Sequence, residues 1–272
     1  MKNIVILGAS GFVGSNLVKF FYKKYNLKLF DIKQFNKKKF PNVIFKKKNL
    51  LDLVETDFPN NNFIVINAAA CLGSKNFYDN MTNNVTALGK VIKILRNKKK
   101  FKGIIHFSSI SAERRVSHYG NSKYISEKII RRSNLPYIIL QSEMIIGKNA
   151  RSIEKIKNLS KLIPFILPAP KGGNVIRYPI SIFKVVEIVE HIIKIENFNN
   201  ESYSLISDPI LLSDLLNKIT SKKIISIPPF LILFLARVFE TIFKDPPFTY
   251  DNAYGICSDT VIKFPKYIIK KN

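Results

Sequence analysis

A doubly wound α/β fold with a smaller C-terminal lobe is what the sequence predicts, and three observations carry that prediction. Short runs rich in Ile, Val, Leu and Phe alternate with longer amphipathic stretches, and strand and helix in alternation build a parallel sheet covered on both faces by helices. A glycine-rich segment, GASGFVG at 8–14, stands between the first apolar run and the first helical stretch. Beyond Gly147 the alternation gives way to segments punctuated by Pro164, Pro168, Pro170, Pro228, Pro229, Pro246 and Pro247, which read as a second lobe built from insertions and the C-terminus.

Taken in order, strands are expected at 3–7, 27–31, 43–46, 63–68, 103–108, 137–141 and 202–206, each a short β-branched or aromatic run bounded by turn residues. Helices are expected at 11–25, 80–97, 119–133 and 183–196, where apolar residues recur at helical spacing. The resulting division gives 1–147 and 174–207 to the sheet unit, and 148–173 with 208–272 to the lobe. No internal repeat and no low-complexity linker interrupts this plan.

Length and composition set the bounds. A chain of 272 residues, 46% hydrophobic, can bury one sizeable core or one core plus a small lobe. The net charge of +25, from 44 basic against 19 acidic residues, raises a nucleic-acid reading. The lysine runs at 37–39, 46–48 and 98–100 are scattered over expected loops and helix ends, however, and Lys, Ile and Asn are abundant throughout at the expense of Ala. A solvated basic surface fits better, so no nucleic acid is expected, while peripheral contact with an anionic membrane stays in view. Cys71 and Cys257 cannot make a disulfide framework and share no ligand spacing with the three histidines, so no metal is expected and a reducing compartment fits. The opening apolar run meets glycine too soon for a signal peptide. No stretch approaches the ~18 consecutive apolar residues of a spanning helix, and a cytoplasmic location follows as the expectation. The longest apolar stretch, 228–239, is broken by Arg237 and reads as a buried or interfacial helix.

The segment 8–14 carries the first chemical signal. Gly8, Gly11 and Gly14, with Phe12 and Val13 between them, lie where a strand passes into a helix. Glycines there permit a tight turn and close backbone approach, and the helix N-terminus offers free N–H groups to a pyrophosphate. Asp31 closes the second strand ~20 residues on, placed to accept from adenine-ribose hydroxyls and to repel a 2′-phosphate. NAD is therefore the expected cofactor; Lys33 nearby keeps NADP as the alternative.

The second signal is a pair. Tyr119 and Lys123 stand four residues apart in SHYGNSKYISEK, on one face of the expected helix, with the ammonium close enough to stabilise a phenolate and lower the tyrosine pKa. Ser108 and Ser109 end the preceding strand, at the carboxyl edge where open α/β sheets hold their ligands. A hydroxyl there suits a substrate oxygen. His118 is read as a neighbour without a role, and Cys71 as a small residue near the cofactor.

These residues together resemble the extended branch of the short-chain dehydrogenase/reductase superfamily: nucleotide-sugar epimerases, dehydratases and ketoreductases on a Rossmann fold. The matching positions are the GASGFVG loop, Asp31, the NLLD stretch with Asn49 and Leu50, the NAAA stretch with Ala68 and Ala69, Asn84 with Val85, Ser108 with Ser109, and Tyr119 with Lys123. The resemblance implies that Ser109 and Tyr119 bind the reacting oxygen, that Tyr119 is the acid/base, and that Lys123 orients the nicotinamide ribose. It implies cofactor contacts from the loop residues, Asp31, Asn49, Leu50, Ala68, Ala69 and Asn84, a nucleotide sugar in the lobe, and a homodimer. Arg177 stands where such epimerases place an arginine on the diphosphate.

Departures narrow the choice. Ser109 is followed by Ile110 and Ser111 instead of the Thr-Asp-Glu run of the 4,6-dehydratases, which argues against water elimination. Gln141-Ser142-Glu143 replaces the family's Arg-Pro, so Glu143 becomes a candidate polar group near the substrate. What remains is a sugar 4-epimerase or 4-ketoreductase, in surface polysaccharide biosynthesis. The alternatives are a non-catalytic dinucleotide-binding sensor or structural subunit, and a membrane-peripheral reductase of a lipid-linked substrate.

Overall fold

The computed structural model describes residues 1–41, 43–71, 76–162, 165–243, 246 and 248–269; Pro164 and Pro247 fall outside them. The chain begins with β1 (Asn3–Leu7), α1 (Phe12–Phe21), β2 (Asn26–Asp31), β3 (Ile44–Lys47) and β4 (Phe63–Asn67). A helical run follows, divided into α2 (Phe77–Asn80), a π-helical turn (Met81–Thr86) and α3 (Ala87–Arg96). Next come β5 (Phe101–Ser109), α4 (Ser111–Arg114), α5 (His118–Arg131), β6 (Tyr137–Ser142), β7 (Met144–Ile146), α6 (Arg151–Leu162), β8 (Ile166–Pro170), β9 (Ile176–Arg177), β10 (Pro179–Ser181), α7 (Ile182–Ile195) and β11 (Glu201–Leu205). The chain closes with β12 (Ile210–Leu211), α8 (Leu212–Asn217), β13 (Lys223–Ile227), α9 (Pro229–Ile242) and α10 (Tyr250–Cys257).

Seven strands form one sheet in the order β11-β6-β5-β4-β1-β2-β3, all neighbours parallel. The alternation of side chains along β1 shows how it is held. Ile4 and Ile6 face a cluster with Leu17, Val18 and Phe21 of α1 and Val185, Val189 and Ile192 of α7. Val5 and Leu7 face the opposite cluster, with Val91 and Leu95 of α3 and Ile130 of α5. A strand apolar on both faces belongs in the middle of a covered sheet, as the continuous run IVIL requires. The strand order reverses at β1 and β4, so their carboxyl ends flank the crevice where such sheets bind ligands.

All seven expected strands are present, with ends moved by a residue or two. The expected helix at 80–97 is instead interrupted by the π-helical turn, the kind of irregularity that accumulates at functional sites. The lobe residues Leu167, Ala169, Leu212, Leu215 and Leu216 form a small cluster that Val175 of the 174–207 segment joins; β8 pairs with β13 in parallel, and β9 of that segment pairs antiparallel with β12 of the lobe. The chain then returns to the sheet, where Ser204 N–H donates to the Pro265 carbonyl at 2.8 Å and Tyr267 packs in the α1/α7 cluster. α9 is only half an interior helix. Ala236 is buried, while Phe230, Leu231, Phe234, Leu235 and Ile242 lie on an exposed arc. No helix of the described residues is long and apolar enough to cross a membrane.

Candidate active site

The glycine loop meets the geometric demands of a pyrophosphate cradle. Gly8 has φ +80°, and a Cβ there would come within 2.6 Å of the Ala69 backbone. A Cβ on Gly14 would run into the Gly8 carbonyl. Gly11 caps α1 with no side-chain hydrogen bond, and the first turn of the helix, Phe12 to Gly14, carries no acid. Its N–H groups are thus free for an anion, with the positive end of the helix dipole behind them.

Asp31 ends β2 beside this loop. Its Oδ2 accepts from Ser10 N–H at 2.8 Å and its Oδ1 from Lys33 N–H at 2.9 Å, which fixes the carboxylate yet leaves lone pairs for ribose hydroxyls. Asn49 caps the short turn after β3, its Oδ1 accepting from Leu51 N–H at 3.0 Å, and Leu50 turns into the sheet core. At the end of β4, Asn67 accepts from Ala69 N–H at 3.2 Å and meets His106 Nδ1 at 3.1 Å, shaping the strip that carries Ala68 and Ala69. Asn84, on the π-helical turn, accepts from Cys71 N–H at 2.8 Å and donates to Ser122 Oγ at 2.9 Å. Its amide therefore ties that strip to α5.

Tyr119 and Ser109 meet as the sequence suggested, hydroxyl to hydroxyl. Ser109 also accepts from Ser111 N–H at 3.2 Å, which holds it in place. The charge balance around the phenol differs from expectation. Burial raises the Tyr119 pKa above its ordinary value and the Asp251 carboxylate adds to the rise, with the Ser109 bond opposing both. Lys123 has not lowered it, because its ammonium donates to the Phe107 carbonyl at 2.6 Å. Lys123 is itself pushed down to about 8 by burial, with Glu127 working in the other direction. The resting pair is a protonated phenol and a lysine that titrates close to neutrality.

Three expected substrate residues are turned elsewhere. The Ser108 hydroxyl donates to buried Glu127 and faces the interior. Arg177 is 1% exposed; its Nη1 bonds Glu143 Oε1 at 2.9 Å, Ser258 O at 3.1 Å and Thr260 Oγ1 at 3.1 Å, and its Nη2 bonds the Ile256 carbonyl. Glu143 completes the tie by accepting from Tyr178 N–H at 2.6 Å. Arg177 and Glu143 thus pin the 256–260 segment to the body of the protein, and a diphosphate would have to break that pairing to reach the guanidinium.

Two residues were missed. Asp251, on α10, reaches the Ser117 side chain that caps α5, and burial raises its pKa while the Ser117 bond and Arg114 restrain it. Nothing in the spacing along the chain announces it, since it arrives from the far lobe. Glu127 could have been found: it follows Tyr119 and Lys123 at the same four-residue interval.

No family model matches the chain, and no curated protein does. Solved structures do. The UDP-glucuronic acid 4-epimerase from Bacillus cereus, in complex with NAD, is 18% identical, with a TM-score of 0.71 over 94% of this chain and 99% of that one. The Bordetella bronchiseptica enzyme WbmF, in complex with NAD+, is 20% identical with a TM-score of 0.69, covering 84% of this chain and 82% of that one. UDP-glucose 4-epimerase from Thermotoga maritima, with UDP-glucose, is 18% identical with a TM-score of 0.68, over 83% and 85%. At these identities the likeness is one of fold, and the chain has the fold of these three enzymes.

Proposed function

We propose that this protein is an NAD-dependent enzyme of nucleotide-sugar metabolism, a 4-epimerase that keeps its cofactor or a 4-ketoreductase that exchanges it. The observation that carries the reading is the Ser109–Tyr119 hydroxyl pair beside Lys123, set at the carboxyl edge of the sheet next to the glycine cradle, so closely packed that a Cβ on Gly8 or Gly14 would collide with backbone. That cradle and Asp31 fit a dinucleotide, NAD ahead of NADP because a fixed carboxylate repels a 2′-phosphate. Solved structures of this fold hold NAD, UDP-glucose or UDP-glucuronic acid, which supports the same substrate class. NAD, when bound, supplies a hydride acceptor and donor.

The chain's own residues manage the proton. Ser109 positions the sugar oxygen against Tyr119, whose raised pKa keeps it a proton donor at rest; oxidation of a sugar hydroxyl requires that proton to leave first. Lys123 sits one helical turn away, ready to favour the phenolate and to bond the nicotinamide ribose. The supporting division of labour is a cofactor unit of 1–147 with 174–207 and a substrate lobe of 148–173 with 208–272, in a cytoplasmic homodimer serving surface polysaccharide synthesis. The exposed apolar arc of α9 favours a second reading, in which that lobe also rests on an anionic membrane; salt-dependent sedimentation with anionic vesicles would support it, and a clear supernatant would remove it.

The test is Tyr119→Phe, which deletes the proton and keeps the ring. Turnover should fall by ~10²–10⁴-fold, the usual worth of general acid–base catalysis, with NAD affinity little changed. Turnover within a few-fold of the parent would take Tyr119 out of the mechanism.

A further inference from the structure

Behind the tyrosine and lysine the face of α5 continues with two more charged residues, Glu127 and Arg131, at the same interval. Glu127 is wholly buried. Its Oε1 accepts from Gln141 Nε2 at 2.8 Å and from the Ser108 hydroxyl, and its Oε2 from Arg131 Nη2 at 2.9 Å. The two ends of the arrangement are tied to adjacent residues of β5, Lys123 to the Phe107 carbonyl and Glu127 to the Ser108 side chain.

A buried carboxylate costs several kcal/mol unless it is paired, and here it is held by three donors, one helical turn from a buried ammonium that donates to the neutral Phe107 carbonyl. We infer that Glu127 is a positioning residue for the reaction, the counter-charge that keeps Lys123 protonated inside the protein. This rests on the role given to Lys123 above. Arg131 acts against it by drawing on the same carboxylate. The other titratable groups facing this cluster are His106 on β5, held neutral by burial and by Lys123 and Arg131, Tyr119 on α5, and Glu113 on α4, which reaches the cluster through Gln141 at 2.9 Å and is paired outside with Lys263 at 2.9 Å. Of these, Glu127 is the carboxylate on the lysine's own helix face.

The experiment titrates Lys123 directly, by NMR of the full chain carrying 13C-labelled lysine, with Lys123→Arg used to assign the resonance. Glu127→Gln should move the titration down by about one pH unit or more, since an opposite charge at close range is worth ~1–3 units. Glu127→Asp, which keeps the charge, should restore most of it. Arg131→Met removes a partly buried cation bonded to Glu127 and should move Lys123 upward by freeing that carboxylate, so the idea stays testable even where Glu127→Gln does not fold. A Lys123 titration unmoved by Arg131→Met, or by a folded Glu127→Gln, overturns it and leaves Glu127 as a packing anchor. Because the titration needs neither cofactor nor substrate, it stands apart from the enzymatic reading, which fails separately if Lys123→Met leaves turnover intact.

Discussion

Lys123, on α5 against the main sheet, and Arg177, on β9 paired with β12, are both 1% exposed. Around Lys123 the protein supplies one neutral carbonyl and a carboxylate at one turn's distance, and the lysine answers by titrating near 8. Around Arg177 it supplies Glu143, two carbonyls and a threonine hydroxyl. A buried cation that is under-supplied is poised to do chemistry. One whose two terminal nitrogens meet four acceptors holds the structure together.

The contrast breaks most visibly if each is replaced by methionine. Arg177→Met strands Glu143 and the carbonyls of the 256–260 segment, and should cost about 3–5 kcal/mol in denaturant unfolding, the usual result of removing one partner of a buried pair. A loss below about 1 kcal/mol would mean that the pairing is incidental and that Arg177 is free for a ligand after all.

Lys123→Met should do the reverse. A lysine whose folded pKa lies below its unfolded value destabilises the protein fully at pH below the folded pKa, and the penalty fades as pH rises toward the unfolded one. With Lys123 at about 8, removing it should stabilise the fold at neutral pH by about 2 kcal/mol, roughly 3 from the titration less about 1 for the lost bond. The gain should shrink between pH 8 and 10, while cofactor-dependent turnover is lost. Stability that falls on this substitution would place Lys123 with Arg177 as a structural cation.

The smallest effect separates the two adjacent serines. Ser108→Ala removes one of three donors to Glu127, so about 1–3 kcal/mol of stability should go while turnover per folded molecule stays within a few-fold. Steady-state kinetics on the folded fraction decide it: a collapse of turnover would return Ser108 to the substrate.

The sequence was legible where function is local. Gly8, Gly11 and Gly14 are demanded by one turn of backbone, and Tyr119 with Lys123 by one face of one helix; neither depends on what packs from elsewhere. The parallel sheet covered on both faces followed for the same reason, because apolar runs of strand length alternate with helices. The partners of Arg177 and Glu143 could not be read, because Ser258 and Thr260 are brought in from the far end of the chain. The exposed arc of α9 was hidden likewise, since the sequence shows that a helix is apolar but not which side is covered. Asp251 gave no signal at all. Ser108 and Ser109 differ only in which side of β5 each faces, a distinction that period-two alternation could have supplied.

In the proposed reaction Ser109, Tyr119 and Lys123 handle the proton that accompanies a hydride moving between NAD and a nucleotide sugar. The most direct measurement mixes the purified protein with NAD and, in turn, UDP-, dTDP- and GDP-linked hexoses, following nicotinamide absorbance and the sugar products together. At least one of them should give an epimer with retained cofactor, or a stoichiometric change in nicotinamide redox state, and Tyr119→Phe should slow it by ~10²–10⁴-fold. Tight NAD binding with neither signal from any of the three would contradict the proposed reaction, and would leave a dinucleotide-binding protein that performs no chemistry on nucleotide sugars.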